Sequence, residues 1–395
     1  MSTQDIDLMA LDVHTFNPEP VYEYLRNEEP LYWDAKNQMW AVSRYDDVIF
    51  ASKNTEIFCS GKGVVPGVSQ EDWPDEAMIN LDGDAHTRQR GLVSKGFTPR
   101  RIAELEQHAR DIVIELLSNV TPTGKCDIVK DIARPLPMRI IGEMLGYPQE
   151  MHEAILDWTD TFTQGGCGAA HITEDVVEAF SNFCQYHFQL VEERKENPGD
   201  DLLSVWLNAE LDGDKLSEDK LLYEHNLLLV GGSETTRNAI SAGFLELIHH
   251  PEQLQHLIDH PDAIPHAIEE IVRWATPFVR MARTLTQDYT WYDKEMKAGQ
   301  QILMLYPAAN RDPRAFDNPQ VFDIHREFKR PPVAFGYGKH FCLGAALARL
   351  ELRVTFEETL KRLPGLKLDP TAEVVPHPSC FIRGLETLPV LFTPN

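Results

Sequence analysis

One short segment restricts the fold of this chain more than any other: a glycine-rich stretch that contains a cysteine and leads directly into a helix. Residues 335–344 read FGYGKHFCLG, and the helical pattern AALARLELRVTFEETL follows at once. Glycines at these positions allow a tight turn and a close approach of the backbone to a flat ligand. A helix that starts beside Cys342 favours the thiolate through its positive N-terminal dipole. The alternative is an ordinary glycine-rich turn that contains a buried cysteine.

The length and composition allow a buried cofactor and exclude several classes of function. The chain has 395 residues and no stretch that looks like a linker, so we expect one domain over residues 1–395. A net charge of -25 opposes binding to a nucleic-acid backbone. The N-terminus has no signal-peptide pattern, and no segment reaches the roughly 20 apolar residues of a spanning helix. We therefore expect a cytoplasmic protein without a transmembrane segment and without a nucleic-acid partner.

The periodicity of apolar residues predicts a mainly α fold with small β-sheets. Alternation in LYWD and MWAVS near the N-terminus, and in RTLTQDYTWYD and QQILMLYP between 281 and 305, predicts short strands. Helical periodicity covers longer stretches, namely 99–118, 136–146, 150–163, 173–196, 217–250, 252–259, 263–275 and 343–362. A further helix begins near Asp84.

A second unusual segment lies inside the longest helical pattern. The run HNLLLVGGSETTRNAISAGFLELI places two glycines, an acid and two threonines in mid-helix, at Gly231, Gly232, Glu234, Thr235 and Thr236. These glycines and threonines lower helix propensity, and a threonine hydroxyl can bond to a carbonyl of the preceding turn and open the ladder. Alone, the segment would be a flexible kink with a capping threonine. Together with the Cys342 loop, it indicates a notch that holds water above a ligand.

These segments resemble the cytochrome P450 superfamily, whose haem-binding signature is Phe-x-x-Gly-x-His/Arg-x-Cys-x-Gly. The defined positions are matched by Phe335, Gly338, His340, Cys342 and Gly344. The resemblance implies a cytochrome P450 fold, with haem b between a long kinked central helix and the loop that carries the cysteine ligand. It implies that Cys342 is the metal ligand and that Phe335, Gly336 and Gly344 also contact the haem.

The resemblance also assigns the catalytic pair. Glu234 and Thr235 match the acid and the alcohol that deliver protons for the cleavage of dioxygen, which is general-acid work. A haem sensor or an electron carrier would need a haem ligand but not this pair. A helical binding protein without a metal would not need the Cys342 loop. The sequence therefore favours a monooxygenase over these two classes.

Further charged residues match the haem surroundings of the superfamily. His86 and Arg90 lie one helical turn apart and, with Arg283 and His340, match the residues that bind the haem propionates. The pair Glu270 and Arg273, with Arg326, matches a buried structural network of the superfamily. Taken alone, an acid and a base three residues apart would be an ordinary surface pair of little energetic weight.

The electron supply is expected to come from separate proteins. The sequence has no pattern for a flavin or an iron–sulfur cluster, so we expect electrons from NAD(P)H through a ferredoxin reductase and a ferredoxin. The ferredoxin would dock on a basic patch at the cysteine side, formed by Lys95, Arg100, Arg101, Lys329, Arg330 and Lys339. We expect the protein itself to be a monomer.

The expected substrate pocket is largely apolar, which suits a bulky lipid oriented by shape. The resemblance places at this pocket Val64, Val65, Met78, Ile79, Phe162, Gly232, Pro277, Phe278, Val279, Phe381 and Ile382. Ordinary core packing would also require apolar residues at these positions. The runs CDIVKDIARPLPMRIIGEMLG and CFIRGLETLPVLFTPN are similar to the actinobacterial branch that oxidises the terminal side-chain carbon of cholesterol and cholestenone. Fatty acids and terpenes are alternatives, and an inward-pointing Arg280 would receive a fatty-acid carboxylate.

Overall fold

The fold is mainly helical with small sheets, as the sequence predicts. The computed structural model describes residues 6–15, 18–71, 74–168, 171–210, 213, 215–377 and 379–394. The helices in this part of the chain are α1 (Leu11–Thr15), α2 (Glu19–Asn27), α3 (Tyr45–Lys53), α4 (Gly83–Val93), α5 (Pro99–Glu104), α6 (Glu106–Val120), α7 (Pro135–Leu145), α8 (His152–Phe162), α9 (Glu174–Glu196), α10 (Leu202–Leu207), α11 (Glu218–His249), α12 (Pro251–Asp259), α13 (Ile264–Ala275), α14 (Tyr306–Ala309) and α15 (Ala345–Arg362). The strands are β1 (Leu31–Asp34), β2 (Met39–Val42), β3 (Phe58–Cys59), β4 (Lys125–Asp127), β5 (Arg280–Leu285), β6 (Tyr289–Trp291), β7 (Lys294–Met296), β8 (Gln301–Leu305), β9 (Lys367–Leu368), β10 (Val375–Pro376), β11 (Leu385–Thr387) and β12 (Pro389–Leu391).

The long helix α11 is the structural centre of the site. It starts at an N-cap, where the Ser217 hydroxyl accepts a hydrogen bond from the backbone N–H of Lys220 at 3.3 Å. The expected back-bond is present, since the Thr235 hydroxyl donates to the carbonyl oxygen of Gly231 at 2.7 Å. The helix nevertheless runs unbroken through Gly231–Thr236. The two glycines and two threonines therefore do not interrupt it.

Small residues let α11 approach its neighbours closely. At Gly232, an added Cβ would lie 2.8 Å from Cγ1 of Ile141 on α7. At Gly243, an added Cβ would lie 2.7 Å from side-chain atoms of Ile271 on α13 and of Phe356 on α15. The rings of Phe244 and Phe356 stack with their centroids 4.3 Å apart. These contacts fix α11 in the main apolar core.

The larger sheet positions β5 behind the site. Its strand order is β1-β2-β8-β5-β3, with β2 and β8 parallel and the other neighbours antiparallel. Ile302 on β8 is paired with Arg283 on β5 and, on its other side, with Trp40 on β2. The strands expected around 31–42 and 281–305 are therefore confirmed.

Some helix boundaries differ from the sequence prediction. The helix expected over 99–118 is two helices, because the backbone N–H of Leu105 bonds to Ile102, three residues back, and α6 starts afresh at Glu106. Helices α2, α3 and α10 were not expected from the periodicity. In the described residues, no helix combines the length and the apolar character needed to cross a membrane.

Candidate active site

A cavity of about 400 Å³ lies between α11 and the loop that precedes α15. Its walls bring together residues that are far apart in the sequence. They include Cys342 and Phe335 from the loop, Gly231 and Thr235 from α11, and Phe381 from the C-terminal region. The cavity has the size and the mainly apolar lining of a ligand site.

The cysteine loop has the turns that its glycines predict. Gly336 and Gly338 have φ values of 69° and 75°, a region that residues with a Cβ rarely adopt. The backbone N–H of Cys342 donates to the carbonyl oxygen of Phe335 at 2.9 Å. Gly344 is different, because its φ of -80° requires no glycine, while an added Cβ there would lie 4.0 Å from the Cys342 sulfur. Gly344 thus leaves space beside the sulfur.

The surroundings of the Cys342 thiol have opposite effects on its pKa. Burial raises the pKa of Cys342, while the backbone N–H groups of Gly344 and Ala345 and the guanidinium groups of Arg90 and Arg349 favour the thiolate. The residue is nonetheless open to the cavity rather than covered by other side chains. The N-terminus of α15 stabilises the thiolate as expected, but its effect on the pKa of Cys342 is smaller than that of burial. A coordinated metal ion would deprotonate such a thiol.

A cluster of cationic and imidazole side chains lies at the side of the cavity near this loop. His86 is buried and its ring centroid lies 4.2 Å from that of His340. Arg90 donates to the carbonyl oxygen of Phe341 at 2.6 Å, and Arg283 donates to that of Ala282 at 2.8 Å. Nε2 of His86 and Nε of Arg283 are buried and have no hydrogen-bond partner among the residues that the structure describes.

The electrostatics of this cluster fit an anionic ligand. Burial and the charge of Arg283 lower the pKa of His340 to about 3, and burial and Arg90 lower the pKa of His86. Burial also lowers the pKa of the Arg283 guanidinium. Uncompensated positive charge and unpartnered buried N–H groups are costly, and anionic groups would relieve both costs. The residues present therefore fit haem, whose iron would bind Cys342 and whose propionates would meet the cluster.

Glu234 and Thr235 lie on different sides of α11. Thr235 lines the cavity that Cys342 faces. Glu234 is buried and instead lines a second cavity of about 290 Å³, together with polar residues that include Gln164, His377, Ser379 and Glu386. Of the expected pair, Thr235 therefore faces the cavity of Cys342, whereas Glu234 does not. One residue along a helix turns the side chain by roughly 100°, which separates the two.

The Glu234 carboxyl group belongs to a buried ionic network. Nη2 of Arg237 lies 2.5 Å from Oε2 of Glu234, and Nη1 of Arg237 lies 2.8 Å from Oδ1 of Asp160. Burial raises the pKa of Glu234 to about 8, although Arg237 opposes this shift. The pKa of Asp160 is lowered because the effect of burial is outweighed by Arg237 and Arg134. At neutral pH we assign the proton of this acid pair to Glu234.

The expected structural network is formed and fully buried. Nη2 of Arg273 lies 2.6 Å from Oε1 of Glu270, and Nε of Arg326 lies 2.9 Å from Oε2 of the same carboxylate. Arg273 also donates to the carbonyl oxygens of Asn310 and Pro319, each at 2.9 Å. Breaking such a buried pair leaves a charge without a partner and is strongly destabilising. The group ties α13 to the chain ahead of the cysteine loop.

Most of the expected pocket residues line the cavity. Those that do are Val64, Val65, Met78, Ile79, Phe162, Gly232, Pro277, Phe278 and Phe381. Val279 does not line it, because its side chain is fully buried in packing. Ile382 lies on the second cavity instead.

Arg280 is fully buried and does not line either cavity. Its Nη2 lies 3.2 Å from the sulfur atoms of Met9 and Cys380. The inward orientation that a fatty-acid carboxylate would require is therefore wrong for this arginine, because β5 directs it behind the C-terminal region.

Several polar lining residues were missed by the sequence interpretation. Asp75, Asn226, Thr236 and Glu351 all contribute to the cavity wall. A polar residue in the apolar run before Gly231 was the available signal for Asn226. The sequence contains no such signal for Glu351, because its place on the buried face of α15 depends on how that helix packs.

The expected basic patch is partly neutralised. Arg100 pairs with Glu104 at 2.8 Å, Lys329 pairs with Asp317 at 2.7 Å, and Arg330 pairs with Asp46. Lys95 and Lys339 are exposed, whereas Arg101 is half-buried. The apolar ring of Phe341 is 40% exposed beside Lys339.

Comparison with known proteins gives one consistent result. The sequence profile of the family described as Cytochrome P450 matches residues 167–379. The steroid C26-monooxygenase of Mycolicibacterium smegmatis is 38% identical over 379 residues, covering 95% of this chain and 92% of that protein. The methyl-branched lipid omega-hydroxylase of Mycobacterium tuberculosis is 38% identical over 413 residues, covering 98% and 95%. The solved structure of a cytochrome P450 from Chondromyces apiculatus is 32% identical, with a TM-score of 0.89 and coverage of 100% and 99%.

Proposed function

Since this chain belongs to the cytochrome P450 family and is a monooxygenase, we propose that it hydroxylates the terminal carbon of a branched aliphatic chain on a neutral lipid. A sterol of the cholesterol or cholestenone type is the substrate that we favour. The observation that carries this proposal is the mainly apolar cavity wall, to which Val64, Val65, Phe162 and Phe381 contribute together with Thr235. Both curated relatives described above are named for oxidation at the end of a lipid chain.

The cavity residues divide the work of this reaction. Bound haem supplies the chemistry that inserts one oxygen atom of dioxygen into a C–H bond, while the other leaves as water. Cys342 would hold the iron, Arg90 and Arg283 would offset the charge of the propionates, and His86 and His340 would offer them hydrogen bonds. Phe335, Gly336 and Gly344 shape the space next to the sulfur.

In this proposal, residues of α11 deliver the protons. The Thr235 hydroxyl faces the cavity and orients a proton donor there by accepting a hydrogen bond while it donates to the Gly231 carbonyl. Glu234, whose pKa is raised by burial, exchanges protons with water in the second cavity. Both electrons and protons are consumed as the second oxygen atom becomes water.

The redox route is part of this proposal. Electrons pass from NAD(P)H through a ferredoxin reductase to a ferredoxin, which docks near Lys95, Lys339 and the exposed ring of Phe341. Local positive charge on an acidic protein steers an acidic partner to one face. The protein acts as a monomer in this scheme.

Binding of the substrate chain is driven by burial. Enclosing a sterol side chain of about eight carbons contributes roughly 6 kcal/mol, at about 0.8 kcal/mol per CH₂, before ordering costs. A fatty acid gains similar burial but also requires a cation for its carboxylate. Among the lining residues, the arginines are Arg90 and Arg283, and both lie in the cluster that fits the propionates.

The test is a titration of the haem-loaded protein with sterols, long-chain fatty acids and terpenes, followed by product analysis in a reconstituted turnover. We expect cholestenone to shift the haem absorbance band and to yield an alcohol at the terminal side-chain carbon. A band shift with fatty acids or terpenes but with no sterol would contradict the substrate proposal, as would oxygen placed on the sterol rings.

A further inference from the structure

A second group of polar side chains lines the cavity, apart from the cluster of His86, Arg90, Arg283 and His340. Asn226 on α11 and Asp75 and Asn80 ahead of α4 all line the cavity. Asn226 precedes Thr235 by nine residues, which is about 13 Å along a helix that rises 1.5 Å per residue. A ligand whose reacting end lies at Thr235 would therefore bring its far end towards this group.

The Asn226 amide has unused hydrogen-bonding capacity. Its buried Oδ1 has no hydrogen-bond partner among the described residues. An amide carries a donor and an acceptor, and its terminal torsion is broad, so it can serve either a ketone or a hydroxyl group. A buried polar group without a partner is unusual in folded proteins and indicates that something else satisfies it.

The neighbouring carboxylate sets the charge of this end. Asp75 is close to the same stretch of α11, since it raises the pKa values of Tyr223 and Glu224. It accepts hydrogen bonds from the backbone N–H of Ala77 at 2.8 Å and from the side chain of Asn80. Like charges brought together are strongly unfavourable in a partly buried site. A ligand carboxylate is therefore disfavoured here, whereas a neutral oxygen is not.

We propose that Asn226 and Asp75 form a binding subsite for a neutral hydroxyl or keto oxygen at the end of the substrate opposite to the oxidised carbon. This inference rests on the proposed function and specifies the substrate class further. The subsite acts as a positioning element: it fixes how deeply the lipid enters, and so which carbon reaches the haem. Asn226 provides the hydrogen bond, and Asp75 excludes acids.

The experiment compares three ligands with the same aliphatic side chain: cholestenone and cholesterol, which carry an oxygen at C3, and 5α-cholestane, which lacks that oxygen and has saturated rings. Each is titrated into the haem-loaded wild type, Asn226→Leu and Leu227→Ala, with the haem band as readout. Leu227 also lines the cavity, but it offers no hydrogen bond. We expect the wild type to bind cholestenone or cholesterol about three- to tenfold more tightly than cholestane, as one hydrogen bond would give.

The two variants should separate polar from apolar contributions. Asn226→Leu should remove the preference for the oxygenated ligands and leave cholestane affinity unchanged. Leu227→Ala should weaken the binding of all three ligands and leave the ratio of their affinities unchanged. In Asp75→Asn, a long-chain fatty acid should gain affinity about threefold or more, because the repelling charge is gone.

The outcomes distinguish this inference from the function on which it rests. Equal affinity of all three ligands for the wild type, a comparison that depends on no variant, overturns the subsite and leaves a sterol hydroxylase standing. An unchanged preference in Asn226→Leu, or unchanged fatty-acid affinity in Asp75→Asn, also overturns it. Binding of fatty acids or terpenes but of none of the three ligands overturns the substrate proposal itself.

Discussion

Neighbouring residues Glu234 and Thr235 face different compartments, and the proposed function gives them separate tasks. Thr235 meets the cavity of Cys342, whereas Glu234 meets the second, more polar one. A proton that enters through Glu234 must therefore cross α11 before it reaches the reacting side. In the proposed function, the Thr235 hydroxyl on that side, which donates to the carbonyl oxygen of Gly231, receives it.

Replacing Thr235 by alanine should uncouple the reaction. Haem and substrate binding should persist, while product formed per NAD(P)H consumed should fall by about tenfold or more, within the range of a lost acid–base group. Electrons would go to peroxide or water instead. Thr235→Ser keeps the hydroxyl and is the matched control. An unchanged ratio in Thr235→Ala would move the role to Thr236 or away from both threonines.

Glu351 gives a prediction about stability. Burial raises the pKa of this carboxyl group from 4.5 to about 8, although a hydrogen bond with Thr236 opposes the shift. The folded protein thus holds the proton more tightly than the unfolded chain. Its contribution to the free energy of unfolding is largest below pH 4.5 and falls as pH rises towards 8, by at most about 1.4 kcal/mol per pH unit.

The variant Glu351→Gln should remove this dependence. Its free energy of unfolding relative to the wild type should rise between pH 5 and pH 8, as measured by denaturant titration. The exposed Glu373→Gln serves as the control and should show no such trend. A constant difference between Glu351→Gln and the wild type across this range would refute the buried protonated carboxyl group.

At the level of residues, local patterns predicted the placement of some side chains but not of others. The turns around Cys342 match expectation, because glycine conformations are a local property. The proximity of His86 and His340, which are distant in the sequence, was expected from the family resemblance and not from local spacing. The direction of Arg280 depends on which face of β5 packs against the C-terminal region. The periodicity of one strand does not contain that information.

Helix α11 shows how an element accommodates residues that disfavour it. Its propensity is locally poor, yet packing against α7, α13 and α15 keeps it helical. Tertiary contacts commonly override intrinsic propensity. The sequence therefore predicted the extent of this helix within one residue at each end, but not its continuity through Gly231–Thr236.

The glycines of α11 provide a matched pair of variants. Gly243→Ala should destabilise the protein by about 1–3 kcal/mol, because the new Cβ meets Ile271 and Phe356 at 2.7 Å. At Gly231, no atom of the described part of the chain lies within 4 Å of an added Cβ, apart from the helix itself and adjacent residues. In Gly231→Ala, the higher helix propensity of alanine should therefore raise the free energy of unfolding by up to about 1 kcal/mol. Denaturant titration of both variants checks this, and equal effects would refute the packing argument.

Other helix boundaries could not be predicted from the sequence, because they depend on the backbone conformation of a single residue. The stretch 99–118 keeps its apolar period across Leu105, so the interruption there leaves no mark on the pattern. Short helices such as α3 bury residues on more than one side and lack a clear polar face. Periodicity is weak evidence in such segments.

For the whole molecule, the charge distribution limits how a redox partner can approach. The net charge is -25, and several basic residues at the cysteine side are already paired with carboxylates. Near Cys342, the guanidinium groups of Arg90 and Arg349 and the exposed Lys339 carry positive charge. The single domain over residues 1–395 and the monomeric state stay predictions.

Reversing the charge of Lys339 should weaken the encounter with a ferredoxin. In Lys339→Glu, KM for the ferredoxin should rise several-fold at low salt, and the difference should shrink as salt screens the charges. Lys361→Glu is the control, because Lys361 lies on the last turn of α15, roughly 25 Å from its start at 1.5 Å per residue. Equal effects of the two variants would argue against docking at the cysteine side.

The most direct test of the whole account concerns the sulfur that holds the iron. The measurement is the carbonmonoxy difference spectrum of the reduced, haem-loaded protein. The account predicts that the long-wavelength thiolate band disappears in Cys342→Ser and Cys342→His, whereas it persists in Cys59→Ser, where another of the free cysteines is replaced. Retention of that band in either Cys342 variant would contradict the account, because the ligand of the iron would then be a different residue.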